Sequence, residues 1–352
     1  MTKEAEEKKE QQQPQQPVDV PGLLPSSHWA SIPVENEDDD TDSLCSSKAS
    51  STTSVRDSIL EYRRLYGRTY HHEIGDAESW IPNDDKHLDS MEILHYASIL
   101  ALGNKLFLAP LDKDRIRKVL DVGTGSGLWV IDFADQFPNA QVTGTDITPI
   151  QPTWVPPNVS FELDDANQDW TWSSNTFDFI RTRYMIGCIS DWKKFYENAF
   201  RCLKPGGYFE HEESSGKWYS DTGGIPDESP IAQGLKAFRA AGDKTGRTFQ
   251  VVEEGLQKKY MEEVGFVDIV VKDVRVPLGT WPEDPEQKQI GMLVSEAILG
   301  DLEGYLLYML VNILGWSEDG ARALAAHARA QFRKPGVNPY WIRRVVYGRK
   351  PE

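Results

Sequence analysis

Three glycines at two-residue spacing, Gly123, Gly125 and Gly127, form the stretch of this chain whose chemistry is easiest to interpret. They follow an apolar run that contains Asp121 and precede apolar side chains at helical spacing. Glycine accepts positive φ and lets a ligand lie against bare backbone, and a helix start offers free N–H groups. The stretch therefore predicts a strand, a glycine turn and a helix that together bind a nucleotide-like ligand.

The spacing of the glycines separates two classes of ligand. A dinucleotide fingerprint needs a third small residue at position 128, where this chain has Leu128. The G-x-G-x-G spacing instead resembles the S-adenosylmethionine loop of class I methyltransferases. In such a loop an acid of the first strand, here Asp121, holds the ammonium of the methyl donor. A tight strand–helix connection without a ligand is the alternative interpretation of the glycines alone.

A second acidic residue, Asp146, ends the next predicted strand at residues 141–146. It lies 23 positions after Gly123, near the offset of about 20 at which dinucleotide-binding folds place the acid that binds the ribose. We therefore predict that Asp146 and the following Ile147 contact the ribose of S-adenosylmethionine.

The third predicted strand, residues 158–163, leads into a pair of acids. In class I methyltransferases an acid at this point contacts the adenine amino group, with a small residue beside it. We predict that Asp165 and Ala166 have these positions, with Asp164 as the alternative acid.

Candidate catalytic residues lie near the carboxyl ends of the fourth and fifth strands, where open α/β sheets place their sites. Methyl transfer needs alignment, and it needs a base only when the acceptor must lose a proton. Tyr184 and His211 are our candidates, although His211 could instead pack or form hydrogen bonds within its strand. Residues 210–213 match a solvated strand end more often than an acid–base pair. Further candidates are Glu212, Glu213, His71 and His72. No metal-ligand cluster is visible, so we predict no metal.

The elements that position these residues divide the chain into five predicted regions. Residues 1–53 are rich in Gln, Pro, Ser and acidic residues, so we predict a disordered tail, either a solvated leader or a docking arm. The other regions are a helical lid at residues 54–110, the methyltransferase core at 111–276, an insertion of about three helices at 277–339, and a final antiparallel strand and tail at 340–352.

The lid contains two predicted helices. The first begins at Ser54 and ends at Gly67, and the second follows Asn83, its predicted N-cap. They either cover the cofactor or pack on the edge of the sheet. In the core, alternating strands and helices predict a Rossmann-like, doubly wound sheet. Its later helices are predicted at residues 191–203, 231–244 and 253–264, and its later strands at 177–182, 208–212, 266–272 and 341–347.

The composition of the chain disfavours some classes of function. The 352 residues carry a formal net charge of −17, which disfavours binding to nucleic acid or anionic membranes. Three cysteines without pairing or metal spacing favour a reducing compartment, and no apolar run is long enough to cross a bilayer. We therefore predict an intracellular protein, cytoplasmic or nuclear or both.

Short segments along the chain resemble one family in particular. They are I-P-N-D at 81–84, L-F-L-A-P at 106–110, the glycine loop at 119–129, G-T-D-I-T-P-I-Q-P-T-W at 144–154, V-P-P-N at 155–158, and residues 177–183, 191–192 and 202–207. From about residue 62 to 348 the chain resembles the LaeA-like fungal methyltransferases, which include regulators of secondary metabolism and relatives found with velvet proteins. The run at 151–158 is more specific than the glycine loop, because binding of S-adenosylmethionine does not require it.

The resemblance implies a class I fold, S-adenosylmethionine as cofactor, velvet-type protein partners and, for some members, a nuclear regulatory role. It adds Arg183 to the cofactor site. We therefore predict an S-adenosylmethionine-dependent methyltransferase of fungal secondary metabolism or development, with an unknown acceptor. Two alternatives stay open: a regulatory module that binds S-adenosylmethionine within a protein complex, and a small-molecule O-methyltransferase of one pathway.

Overall fold

The computed structural model describes residues 17–33, 62–72 and 77–352. In these residues the strands are β1 (Arg63–Leu65), β2 (Arg68–Tyr70), β3 (Lys118–Val122), β4 (Gln141–Asp146), β5 (Val159–Leu163), β6 (Phe177–Arg183), β7 (Leu203–Ser220), β8 (Val267–Pro277) and β9 (Pro339–Arg349). The helices are α1 (Ser26–Ala30), α2 (Asp85–Ala101), α3 (Leu128–Gln136), α4 (Trp192–Cys202), α5 (Pro230–Thr245), α6 (Leu256–Val264), α7 (Pro285–Gly300), α8 (Leu302–Leu307), which continues as the π-helix Tyr308–Ile313, and α9 (Glu318–Arg333).

Seven of the strands form one sheet in the order β5-β4-β3-β6-β7-β9-β8. The strands β3 to β7 are parallel, and β9 runs antiparallel to both β7 and β8. The strand order reverses beside β3, and open α/β sheets bind ligands in the crevice at such a point. The predicted doubly wound sheet, with helices before it and a helical insertion before its last strand, is confirmed.

The central strand β3 is buried on both faces of the sheet, which explains its continuous apolar run. On one face Val119 packs with Trp129 and Phe133 of α3. On the other face Leu120 packs with Phe195 of α4. Because helices pack on both faces of β3, its register is fixed. The glycine loop that follows β3 is therefore also fixed in position.

The first predicted lid helix is wrong for the part that the structure describes. Residues 63–70 form a hairpin, because β1 and β2 pair antiparallel around Tyr66 and Gly67. Both turn residues have positive φ, 57° and 77°, as the commonest two-residue hairpin turn requires. Residues 54–61 of that helix lie outside the described part of the chain.

The second lid helix is present as α2, but its cap differs from the prediction. The carboxylate of Asp84, and not Asn83, accepts a hydrogen bond from the His87 N–H at 3.2 Å. Other boundaries also differ: β7 begins at Leu203 and ends at Ser220, beyond the predicted residues 208–212 on both sides. Among the described residues, no helix combines the length and apolar character that a bilayer span requires.

The predicted disorder of residues 1–53 is wrong for residues 17–33. Trp29 of α1 is 3% exposed, and its ring lies 5.9 Å from that of His327 on α9. The Val18 N–H donates to the Leu314 carbonyl oxygen at 3.0 Å. One aromatic side chain thus holds this segment on the helical insertion, while the rest of the predicted tail lies outside the described residues.

Candidate active site

The glycine loop after β3 has the backbone that only glycine adopts easily. Gly123, Gly125 and Gly127 have φ values of 72°, 58° and 81°, all in the left-handed region. A Cβ on Gly125 would lie 2.5 Å from the terminal methyl carbon of Met91. The loop is therefore both strained for other residues and closely covered by α2.

Asp146 joins the end of β4 to this loop. Its carboxylate accepts hydrogen bonds from the Gly125 N–H at 2.8 Å and the Thr148 N–H at 3.0 Å. Burial of the carboxyl group raises its pKa to about 6. The predicted pair of glycine loop and second-strand acid is thus assembled in space.

Gln151, which begins the specific Q-P-x-W run, also contacts the loop. Its side-chain amide donates to the Gly125 carbonyl oxygen at 2.7 Å and to the Thr148 carbonyl oxygen at 3.0 Å. Gln151 was not among the residues predicted for the site, although the specificity of the run was a signal. Gly125 is therefore held from two sides, through its N–H by Asp146 and through its carbonyl oxygen by Gln151.

A cavity of about 340 Å³ opens at this edge of the sheet. It brings together most of the residues predicted for the site, and it is lined by Gly123, Gly125, Asp146, Ile147, Asp164, Asp165, Ala166, Arg183 and Tyr184. Asp121, Gly127 and His211 are not in its wall.

Asp121 lies beneath the loop. It is 2% exposed, and one of its oxygens accepts from Arg181 at 3.2 Å. The same guanidinium donates to Glu212 at 3.0 Å. Asp121 is therefore part of a buried ion network and not of the cavity wall.

The two acids after β5 differ in what their carboxylates do. Asp165 accepts from the Asn167 N–H at 3.0 Å and from the Gln168 side chain at 3.2 Å. Partial burial raises the pKa of Asp164. Because both residues line the cavity, both stay candidates for the adenine contact.

Arg183 ends β6 and Tyr184 follows it, and both lie in the cavity wall. Tyr184 has a φ of 58°, uncommon for an aromatic residue, and its hydroxyl lies 3.3 Å from the Ser98 hydroxyl of α2. The Arg183 guanidinium contacts the His95 ring at 3.3 Å. Burial raises the pKa of the Tyr184 hydroxyl, so this group is protonated at neutral pH.

His211 is buried in the core, which contradicts its predicted catalytic role. Its ring stacks on Trp192 with centroids 4.8 Å apart, and its nitrogens lie 2.6 Å from the Tyr196 hydroxyl and 3.2 Å from Glu213. Burial lowers the pKa of His211 to about 3. The packing alternative describes this residue, because the side chain above β7 is covered by α4.

Residues 210–213 are not a solvated strand end, since all four are fully buried. Glu210 accepts from the backbone N–H groups of Leu108 and Ala109 at 2.8 and 2.7 Å. Glu213 accepts from the Met185 N–H at 2.6 Å. These carboxylates therefore fix loops around the sheet. The other proposed bases, His71 and His72, are not in the cavity wall.

A roof over the cavity, made of residues 78–83 and α2, was not predicted in detail. Its contributions include Trp80, Asn83, Met91 and Leu94. The Trp80 indole N–H donates to the Ile186 carbonyl oxygen at 2.9 Å, which attaches the roof just beyond β6. The sequence signal for Met91 and Leu94 was their helical spacing, which is equally typical of core packing.

Comparison with known proteins adds to this geometry. Residues 93–269 match a family described as a methyltransferase domain. The methyltransferase pytC of Aspergillus terreus is 33% identical over 313 residues, covering 89% of this chain and 93% of that protein. The secondary metabolism regulator LAE1 of Cochliobolus heterostrophus is 32% identical, covering 77% of this chain and 89% of that protein. The chain belongs to the LaeA-like fungal methyltransferase family.

This membership confirms the predicted methyltransferase, its cofactor S-adenosylmethionine and its link to fungal secondary metabolism. A solved phosphoethanolamine N-methyltransferase 2 of Haemonchus contortus has 19% identity and a TM-score of 0.46, covering 81% of this chain and 63% of that one. The family does not identify which residues bind the cofactor or the acceptor.

Proposed function

We propose that this chain transfers a methyl group from S-adenosylmethionine to an acceptor bound in the same cavity. The supporting observation is that Asp146 binds the N–H of Gly125 while both residues line one cavity at the point of strand-order reversal. When bound, S-adenosylmethionine supplies an activated methyl group, so the protein need only align it with the acceptor and exclude water.

The residues of the cavity suit the parts of this donor. Gly123 and Gly125 present backbone, without a side chain, to its amino-acid tail, and Gly127 allows the turn into α3. Asp146 and Ile147 hold the ribose. Asp165 or Asp164, together with Ala166, binds the adenine, Arg183 completes the donor site, and Asp121 supports the ammonium end from beneath the loop.

Tyr184 is our proposed catalytic residue at the acceptor. Burial raises the pKa of its hydroxyl, so the hydroxyl stays protonated. Its proposed role is to donate a hydrogen bond that orients the acceptor, and not to remove the acceptor's proton. In this arrangement the donor is held by residues of the core at 111–276, and the acceptor lies between the roof, the insertion at 277–339 and the remaining core residues of the cavity wall.

Isothermal calorimetry with S-adenosylmethionine tests the donor site. We expect the purified chain to bind and the Asp146→Ala variant to lose binding. Asp135→Ala is the matched control, because Asp135 is an exposed acid of α3 outside the cavity wall. Full binding by a folded Asp146→Ala protein would refute the assignment of this carboxylate.

A regulatory role is the second candidate, because one relative is named a regulator of secondary metabolism. Here the chain would act in the nucleus or cytoplasm with velvet-type partners. Expression of a folded Gly125→Arg variant in a deletion strain separates the two roles. If the variant loses both regulation and cofactor binding, catalysis is supported. If it loses cofactor binding but retains regulation, a binding module is supported. A fluorescent fusion gives the compartment.

A further inference from the structure

One part of the cavity is lined by aromatic rings. Its residues, which we call the aromatic chamber, are Trp80, Trp218, Phe238, Phe249, Tyr305 and Trp341. Trp80 packs against Phe238 and Phe249 with centroids 5.3 Å apart in both pairs. Trp218 packs edge-on against Trp341 at 4.8 Å. The rings come from the roof, β7, α5, the loop after α5, α8 and β9, so the fold assembles this surface from distant parts of the sequence.

The chamber offers an acceptor little charge. Among the described residues that line the cavity, Arg183 is the one arginine or lysine, and it lies at the end of β6. Glu78 is hydrogen-bonded to the Tyr308 hydroxyl. His87 is paired with Asp301 at 2.8 Å. A phosphate or carboxylate would therefore find no free cation in the chamber, whereas apolar and aromatic surface is well matched.

Asn83 brings an unpaired amide to this mainly apolar wall, to which Trp341 also contributes an indole N–H without a partner among the described residues. Asn83 lines the cavity and is 8% exposed. Neither its amide nitrogen nor its amide oxygen has a hydrogen-bond partner among the described residues. Leaving a buried amide unpaired is unfavourable, so Asn83 is suited to pair with a polar group of a bound molecule. Trp80, three residues earlier, attaches this segment beside the end of β6.

We propose that the acceptor is a small, uncharged, aromatic or otherwise apolar molecule that binds in the aromatic chamber, and that the Asn83 amide hydrogen-bonds its polar group. This inference rests on the proposed function, because it assigns the remainder of the cavity to the acceptor. A protein side chain as acceptor is the competing outcome.

Binding of N-phenyl-1-naphthylamine, an uncharged aromatic fluorophore, tests the chamber in protein saturated with S-adenosylhomocysteine. We expect saturable binding at one site and at least tenfold weaker binding by Phe238→Arg, which places a charge among the rings. Phe238→Gln serves if the arginine variant does not fold. Met292→Arg is the control, because Met292 is an exposed apolar residue of α7, 53% exposed and outside the cavity.

Displacement of this fluorophore by 1-naphthol and by naphthalene tests Asn83. Wild type should prefer 1-naphthol about tenfold, the size of effect that one net hydrogen bond produces. Asn83→Leu should bind naphthalene normally and lose the preference. A purely structural role of Asn83 would not change the ratio of the two affinities.

Calorimetry with S-adenosylmethionine on the same preparations separates the two proposals. Absence of S-adenosylmethionine binding by the wild-type protein would refute the proposed function. If both Phe238 variants bind the cofactor and the fluorophore as wild type does, the proposed acceptor site in the aromatic chamber is refuted, and the proposed function is not. Transfer of labelled methyl to the proteins of a fungal cell extract by wild type and Phe238→Arg at equal rates would overturn it in favour of a protein acceptor.

Discussion

At the scale of single residues, the protonation of Asp146 should control cofactor affinity. Its pKa of about 6 lies above that of an ordinary carboxyl group, and only the ionised form accepts hydrogen bonds with both oxygens. We expect the affinity for S-adenosylmethionine to be constant from pH 7 to about 6 and to fall up to tenfold per pH unit below that.

Calorimetry between pH 5 and 7 measures this dependence, and the range avoids titration of the cofactor's own groups. Asp146→Asn, which cannot ionise, should bind more weakly with an affinity that does not change over the same interval. An equal slope in the two proteins would show that another group controls binding.

His211 should affect stability and not cofactor binding. A histidine whose pKa falls from 6.5 to about 3 on folding takes up its proton first in the unfolded state, so stability falls as pH decreases from about 6.5 towards 3. His211→Gln should reduce this slope and cost about 1–3 kcal/mol at pH 7 by leaving buried partners unpaired. Urea unfolding at several pH values measures both effects. A large loss of cofactor affinity in the folded variant would contradict this assignment.

At the scale of elements, the contact between the glycine loop and α2 should couple Gly125 to Met91. In Gly125→Ala the new methyl meets the flexible end of Met91, which lines the cofactor cavity and must move to make room. We expect at least tenfold weaker binding of S-adenosylmethionine, partly restored in Gly125→Ala/Met91→Ala because the shorter side chain leaves room. Calorimetry on the four proteins of this cycle gives the coupling.

Gly103→Ala is the control for backbone strain in this cycle. Gly103 has a φ of 68°, and a Cβ added there would have no atom within 4 Å. Its substitution therefore reports the left-handed backbone alone, about 1–2 kcal/mol of stability. Gly125→Ala should lose a similar amount of stability, and only Gly125→Ala should lose cofactor affinity. If Met91→Ala does not restore cofactor affinity to Gly125→Ala, the two positions act independently. A steric contact between them would then not be the cause of the lost affinity.

At the scale of the whole molecule, the segment 17–33 should contribute to global stability through Trp29. This side chain is buried between α1 and α9, so Trp29→Ala should lower the free energy of unfolding by about 3–5 kcal/mol. Ser27→Ala, an exposed change in the same helix, should alter it by less than about 0.5 kcal/mol. Denaturant unfolding compares the two variants. Equal stabilities would show that the segment adds little.

The local parts of the site were predictable from sequence. Gly123, Gly125, Gly127 and Asp146 act through short-range geometry: positive φ, a strand end and a fixed offset along the chain. The same logic gave α2 and the order of strands and helices. Such patterns depend little on residues far away, although the helix predicted from a similar pattern up to Gly67 is a hairpin at residues 63–70.

Several failures concern residues whose environment is set by distant segments. His211 alternates with its neighbours as any strand residue does, and only the packing of α4 on β7 shows that it is covered. The predicted cap at Asn83 failed for a local reason, because the carboxylate of Asp84, one residue later, satisfies the same capping rule. The aromatic chamber could not be predicted, because its six rings come from separate parts of the fold.

The ion network under the glycine loop has an evolutionary consequence. Arg181 joins Asp121 of β3 to Glu212 of β7 with every partner buried, and loss of one partner from such a group costs about 3–5 kcal/mol because a charge is stranded. Divergence at these positions should therefore proceed by concerted replacement. Related proteins that lack Arg181 should therefore also lack Asp121 or Glu212 or both. In these proteins we expect apolar side chains to pack beneath the glycine loop instead.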